Sequence, residues 1–470
     1  MSAEAAPLEH AGTRRLSRTT MWVVGICWAT IIFDGYDLIV YGAVVPTLLE
    51  YEAWGLNPKE AGAIGSYALV GMLIGALIAG TITDLVGRRR IILFCLCWFS
   101  VFMGVAAIAP SPEVFGFARF MTGLGLGGVL PTASALTLEY APASKRNLTY
   151  AMMFSGYSIG GILAAALAIP LVAEFGWRVM FAIGLVPIFV IVPLAWKFMP
   201  ESISFLIARG RRREAMELAR RYDVPLEPEA AAASPEVVGE PERGEDGRLA
   251  SVAGLFRRNV VVATLLFWAI AFLGLLLIYG INTWLPQIMK KSGYSLGSAL
   301  SFLLVLNVGA IAGALLAGRL ADRFGAKRAT TVGFTLGAVA IFLLSLQPPL
   351  IATYLLLAVA GLGSIGTMIV VNAYVMEHYA VRSRATALGW ALGVGRAGAI
   401  CGPLVGGFIL SSKLGVEANF FVFALAGIAA AALCSIVPAS PIRRAAAEHA
   451  SRMGRAAGRR HTAPRAASHG

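Results

Sequence analysis

Two aspartates three residues apart, Asp34 and Asp37, interrupt a run that is otherwise apolar from Val23 to Val40. Positions i and i+3 share a helix face, and Thr30 and Tyr41 extend the same stripe. A carboxylate at the centre of a membrane span costs about 2.5–3.5 kcal/mol on insertion scales. Such a group therefore faces the bundle interior or a wet cavity, where it marks an ion or proton path. Loss of water and a like-charged neighbour both favour the neutral carboxyl. The chemistry expected of Asp34 and Asp37 is thus proton coupling: one holds a proton and releases it when its cavity opens to the other side. The plainer reading is a structural anchor, such as an ion pair with Arg119.

Two arginines have the right chemistry to hold an anion. Arg119 lies about five residues, roughly 8 Å, from the end of its apolar run. It can hold a substrate carboxylate or neutralise Asp37 through paired hydrogen bonds, or it can snorkel to the headgroups. Arg396 is about ten residues, roughly 15 Å, from either end of its run, too deep to snorkel easily. The small neighbours Gly393, Gly395 and Gly398 permit close helix approach there. Among the aromatics, Tyr36, Tyr41, Tyr157 and Trp390 are candidates to pack a ring-shaped substrate, although core or lipid contact is the default for any one of them. A third set, Asp84, Arg88, Glu139, Arg146, Asp322, Glu377 and Arg384, sits at the ends of apolar runs. Charges of both signs there suit a gate that bridges two bodies in one conformation and parts in the other.

The elements that must position these groups follow from composition. Of 470 residues, 58% are hydrophobic and 14% charged, against about 25% charged in soluble domains. Apolar stretches of about 20 residues, the length of a membrane-crossing helix, recur from Met21 to Val437, and we read twelve. The net charge of +13 does not indicate nucleic acid, because Lys and Arg collect in short loops and tails. One set of loops holds Arg88, Arg89, Arg90, Lys145, Arg146, Arg323, Lys327, Arg328 and Arg384. The positive-inside rule makes that set cytoplasmic, with both termini inside. The organisation expected is a tail over 1–20, a six-helix half over 21–198, a cytoplasmic loop over 199–258, a second six-helix half over 259–440 and a basic tail over 441–470. In the central loop, the basic segment from Arg209 to Arg221 reads as a short surface helix.

An internal repeat relates the halves. Gly80, Asp84, Gly87 and Arg90 in GTITDLVGRRR match Gly318, Asp322, Gly325 and Arg328 in GRLADRFGAKR at one constant offset. The same offset carries Glu139 and Arg146 onto Glu377 and Arg384, and Tyr41-Gly42 onto Tyr279-Gly280. The halves are therefore parallel repeats about the membrane normal. Asp34, Asp37 and Arg396 fall outside the repeat, onto Phe272, Leu275 and Ser158, which favours function over scaffold as their purpose.

The duplicated G-x-x-x-D-x-x-G-R motif and Pro200-Glu201-Ser202 resemble the major facilitator superfamily. The resemblance implies an all-α membrane protein of twelve transmembrane helices in two pseudo-symmetric halves. Asp34-Gly35-Tyr36-Asp37-Leu38 with Val40-Tyr41-Gly42, and Gly395-Arg396-Ala397-Gly398, are similar to signatures of the aromatic acid:proton symporter family, benzoate and 4-hydroxybenzoate permeases included. That implies uptake of a ring acid with protons across the inner membrane. A drug:proton antiporter or a non-transporting sensor of the same fold is the alternative. The partners expected are a small aromatic acid, protons and membrane lipid, with no nucleic acid and no second chain.

Enzyme chemistry is not indicated. The Gly-x-Gly spacing from Gly123 to Gly128 lies inside a span rather than after a strand, so close helix packing explains it better than a nucleotide. The five cysteines all lie in apolar runs, without the spacing of a zinc site. No metal and no cofactor are expected.

Overall fold

Chain turns in this protein are set by a few cap residues. The second span begins with a reciprocal cap: the Asn57 side chain accepts from the Glu60 amide at 2.9 Å, and the Glu60 carboxylate accepts from the Asn57 amide at 3.1 Å, with Pro58 in the first turn. Ser295 starts the eighth span with a one-way cap, its side chain accepting from Ser298 N at 3.2 Å. The repeated glycines Gly87 and Gly325 make the tight links from second to third span and from eighth to ninth. Their φ values of +106° and +87° lie where a side chain is strained, which is why the motif requires glycine there.

A computed structural model describes residues 18–142, 145–222, 255–256, 260–379 and 383–438. The described residues contain helices and no strands, and twelve of the helices are long and apolar enough to cross a membrane. The first six spans are Thr20–Leu49, Pro58–Thr83, Arg88–Ala107, Pro112–Tyr140, Leu148–Phe175 and Arg178–Phe198. The last six are Val261–Lys291, Leu296–Phe324, Ala326–Leu344, Leu350–His378, Thr386–Ser411 and Glu417–Ile436. The helices run several residues past the apolar stretches at many ends, because caps and loop charges, not hydropathy, terminate them. The terminal tails and most of the central loop lie outside the described residues.

The repeat extends from the loops into the helix crossings. A Cβ on Gly71, Gly75 or Gly123 would lie within 1.9–2.1 Å of a carbonyl oxygen of Phe120, Leu124 or Ala68, so the second and fourth spans touch backbone to backbone. At the same sequence offset, Gly309 meets Ala358, Gly313 meets Leu362 and Gly361 meets Leu306, bringing the eighth span onto the tenth. Without a hydrophobic drive between helices in lipid, such close packing is what holds them together. Gly123→Val is therefore expected to cut the yield of monodisperse protein severely, since two backbones must separate. Gly80→Ala, at a position open within 4 Å, should leave yield unchanged. Fluorescence-detected gel filtration reads both, and a Gly123→Val protein that behaves as wild type would refute this account of the crossing.

Contacts between the halves gather toward the face opposite the Arg-rich loops. Lys290 pairs with Glu50 at 2.5 Å, Ser66 Oγ donates to the Ile400 carbonyl at 2.7 Å, and Gly42 and Gly62 abut the backbones of Asn282 and Pro403. Toward the basic face, Gly389 and Gly393 of the eleventh span look onto open space. The basic segment of the central loop forms one helix, as expected, and a shorter helix precedes it. Ile203–Ala208 ends at Gly210, whose φ is +74°, and Arg212–Tyr222 follows. The second helix is not simply a surface helix: Ala215, Ala219 and Tyr222 are buried, with the Tyr222 ring 5.2 Å from that of Tyr140.

Candidate substrate and proton site

The first span carries Asp34 and Asp37 near its middle, 1% and 0% exposed. Gly35 between them has no room for a side chain, because a Cβ there would lie 2.0 Å from the Tyr157 carbonyl oxygen. The first and fifth spans are therefore locked at the depth of the acids, and the two carboxylates must turn to other neighbours.

Those neighbours differ. Asp37 forms an ion pair with Arg119 of the fourth span, through Oδ1 and a guanidinium nitrogen. A second guanidinium nitrogen donates to the Asp37 carbonyl at 3.4 Å. Arg119 is itself 1% exposed. Its guanidinium lies 5.4 Å from the Tyr41 ring and 5.7 Å from the Phe181 ring, contacts that favour a cation. Asp37 Oδ2 and Arg119 Nε have no hydrogen-bond partner among the described residues. Of the readings open for Arg119, the structure contains the pairing with Asp37, inside one half.

Neither carboxylate oxygen of Asp34 has a hydrogen-bond partner among the described residues. The charges that act on it are Arg396, across the interface of the halves, and Asp37, on its own helix. Tyr157 of the fifth span is within reach of both Asp34 and Arg396, and its hydroxyl lies 3.3 Å from that of Tyr279 on the seventh. Arg396 is half-buried. Its Nη1 lies 3.9 Å from Met72 Sδ, a weak acceptor, and it makes no direct ion pair among the described residues. Four spans thus bring one unpaired acid, one unpaired base and two phenols together at the seam between the halves.

Of the other sequence candidates, Tyr41 lies beside the Asp37–Arg119 pair and Trp390 nearer the basic face. Tyr36 donates its hydroxyl to the Met180 carbonyl at 2.7 Å, and Tyr41 donates to that of Ala61 at 2.5 Å, so both hydroxyls tie spans together. Trp390 stacks on Trp268 at 5.5 Å and is 44% exposed. It lies six residues, about 9 Å along the helix, from Arg396 toward the basic face. Above the site, Asn307 donates to Asn282 at 3.3 Å, where the eighth and seventh spans meet the first and fifth near Gly42 and Gly161. Neither Asn was singled out from sequence. The rule that flagged the aspartates, a polar side chain inside an apolar span, would have found both.

At the basic face, Arg88 pairs with Glu139 at 2.9 Å, and Glu139 also accepts from Ser204 N at 2.5 Å. Arg384 Nε donates to the Tyr379 carbonyl at 3.1 Å. These contacts lie within a half, not between halves. Arg146, Asp322 and Glu377 are exposed at helix ends, and the side chain of Asp84 lies outside the described residues.

Twelve spans around a seam of buried charge define a polytopic membrane protein. The chain belongs to the Major Facilitator Superfamily, whose model matches residues 27–314 and 302–464. It is 38% identical over 403 residues to the benzoate transport protein of Acinetobacter baylyi, covering 85% of each chain. It is 37% identical over 425 residues to the gentisate transporter of Corynebacterium glutamicum, covering 90% of this chain and 88% of that one. The inward open structure of the xylose transporter XylE from E. coli shares the fold, with a TM-score of 0.70 at 17% identity over 89% of this chain and 96% of that one. The resemblance carried by the loop motifs and the first-span signature is thereby confirmed.

Proposed function

We propose that this protein takes up an aromatic carboxylate, such as benzoate or a hydroxybenzoate, together with protons across the cytoplasmic membrane by alternating access. The observation that carries this reading is Asp34: a buried carboxyl that, among the described residues, has no hydrogen-bond partner and lies within electrostatic reach of an arginine on the other half that no carboxylate there pairs directly. When Asp34 is ionised, its charge is balanced by Arg396. When a proton reaches Asp34, that balance is removed and Arg396 can take the substrate carboxylate by a forked pair of hydrogen bonds. One proton and one anion then occupy the seam together, with no net charge added.

The ring of the acid has neighbours of the right kind. Tyr150, Phe154 and Tyr157 stack along the fifth span, with centroids 6.2 and 6.1 Å apart and planes within 19° and 10°. This ladder leads from the basic face to Asp34. The names of the aromatic-acid relatives support the substrate class. Arg119 serves here as the partner of Asp37, leaving Asp34 to exchange the proton. The basic face is cytoplasmic by the distribution of Lys and Arg, so closure at the opposite face makes the conformation inward-facing. The duplicated charges Asp84, Arg88, Glu139, Arg146, Asp322, Glu377 and Arg384 act as the gate that closes this face in the outward state.

The test is uptake of radiolabelled benzoate by purified protein in liposomes, with an imposed pH gradient acid outside. Accumulation above the equilibrium level that collapses with a protonophore is expected. Accumulation unaffected by the protonophore would refute the coupling, and gradient-driven efflux would identify an antiporter. Saturable binding without accumulation would identify a sensor.

A further inference from the structure

Below the first half, on the basic face, the starts of the first and third spans, the end of the sixth and the amphipathic helix Arg212–Tyr222 enclose a cavity of about 550 Å³. Five basic residues line it: Arg89, Arg90, Lys197, Arg211 and Arg221. Two acids, Glu201 and Glu214, are also in the lining, but both are occupied. Glu214 pairs with Arg211 at 2.6 Å, and Glu201 Oε1 accepts from the amides of Arg89 and Ser202 at 3.0 and 2.9 Å. Arg89 donates to the Trp196 carbonyl at 2.5 Å. Arg90, Lys197 and Arg221 are exposed and have no carboxylate partner among the described residues. Trp22 and Trp196, 43% and 69% exposed, sit in the same wall, as expected at the headgroup level of a bilayer.

A second, independent feature adjoins it. An apolar groove of about 440 Å³ runs along the outer surface of the second and third spans, lined by Ile78, Ile82, Phe94 and Trp98. Arg90 lines both the cavity and the groove. From Arg90 to Trp98 the groove follows about 12 Å of helix. A basic pocket that opens into an apolar channel matches one molecule, with a phosphate at one end and a hydrocarbon chain at the other.

We propose that this surface binds an anionic glycerophospholipid, its phosphate among Arg90, Lys197 and Arg221 and one acyl chain in the groove along the second and third spans. Basic pockets on this face of membrane proteins suit such headgroups, and the groove distinguishes a lipid from free phosphate. Occupancy would join the amphipathic helix to the bundle, since Arg221 belongs to that helix and Arg90 to the third span. The proposal does not depend on the transported substrate.

The test is native mass spectrometry of the purified full-length protein titrated with phosphatidylglycerol, phosphatidylcholine or inorganic phosphate. Wild type should keep one phosphatidylglycerol at collision energies that strip phosphatidylcholine. The double variant Lys197→Gln/Arg221→Gln, at two exposed positions, should weaken that binding at least tenfold with an unchanged melting temperature in detergent. Ile82→Trp, which fills the groove without touching a charge, should weaken it as well. Should the double variant not be recovered, Arg90→Gln carries the same expectation. Equal retention of the two lipids, or wild-type affinity in the charge variants, would overturn the proposal. Displacement of phosphatidylglycerol by phosphate, with Ile82→Trp unaffected, would overturn it in favour of a free-anion site.

Discussion

Asp34→Asn is expected to abolish accumulation of the aromatic acid while leaving exchange of labelled for unlabelled acid across the membrane largely intact. Asn has the shape of a protonated Asp and cannot release a proton. The variant therefore fixes the state in which Arg396 is free for the substrate carboxylate, and it lets the loaded carrier reorient without moving a proton. Binding in wild type should weaken as pH rises, because the form that frees Arg396 is the protonated one and the proton is lost at high pH. The groups facing Asp34 are Asp37 on its own helix, Tyr157 on the fifth span and Arg396 on the eleventh. Of these, Asp37 is paired with Arg119 inside its own half. In Asp34→Asn the pH dependence of binding should flatten. Counterflow in liposomes together with binding calorimetry across pH reads both effects. Protonophore-sensitive accumulation at the wild-type level by the variant would remove Asp34 from the proton path.

What made Asp34 and Asp37 legible in the sequence was their cost: charge inside an apolar run is rare enough to name. The same reasoning made the spans legible, since length and hydropathy need no tertiary information. The repeat was legible in the loops, where charged residues repeat visibly. It was not legible in the crossings, although Gly71, Gly75 and Gly123 recur as Gly309, Gly313 and Gly361 at the same offset. A glycine in a span carries no sign of what backbone lies across from it. The division of labour between the two acids was hidden for a related reason. Asp34 and Asp37 share a helix face, so only the rotation and depth of the fourth and eleventh spans decide which acid meets Arg119 and which faces Arg396. Tyr36 and Tyr41 read as ring contacts for a substrate, and their hydroxyls reach backbone carbonyls of other spans, partners that side-chain identity cannot anticipate.

Arg119→Ala is expected to destabilise the protein strongly, and removing Asp37 as well should recover much of the loss. Both partners are buried, at 0% and 1% exposure, and neither can turn to water. Taking away one member of a buried pair strands the other charge, at a cost of about 3–5 kcal/mol. That corresponds to a melting temperature lower by several degrees. The pair itself contributes far less than this, because its attraction is set against the cost of desolvating two ions. The double variant Asp37→Asn/Arg119→Gln keeps the volume and leaves two neutral amides able to hydrogen-bond, so its melting temperature should lie well above that of Arg119→Ala. Transport should behave differently from stability. The double variant lacks the fixed negative charge one helix turn from Asp34 and the cation that holds it, so accumulation should remain lost even though the fold is restored. A double variant less stable than Arg119→Ala would show that the pair contributes net stability. A double variant that accumulates benzoate normally would make the pair a scaffold and leave the whole of the coupling to Asp34 and Arg396.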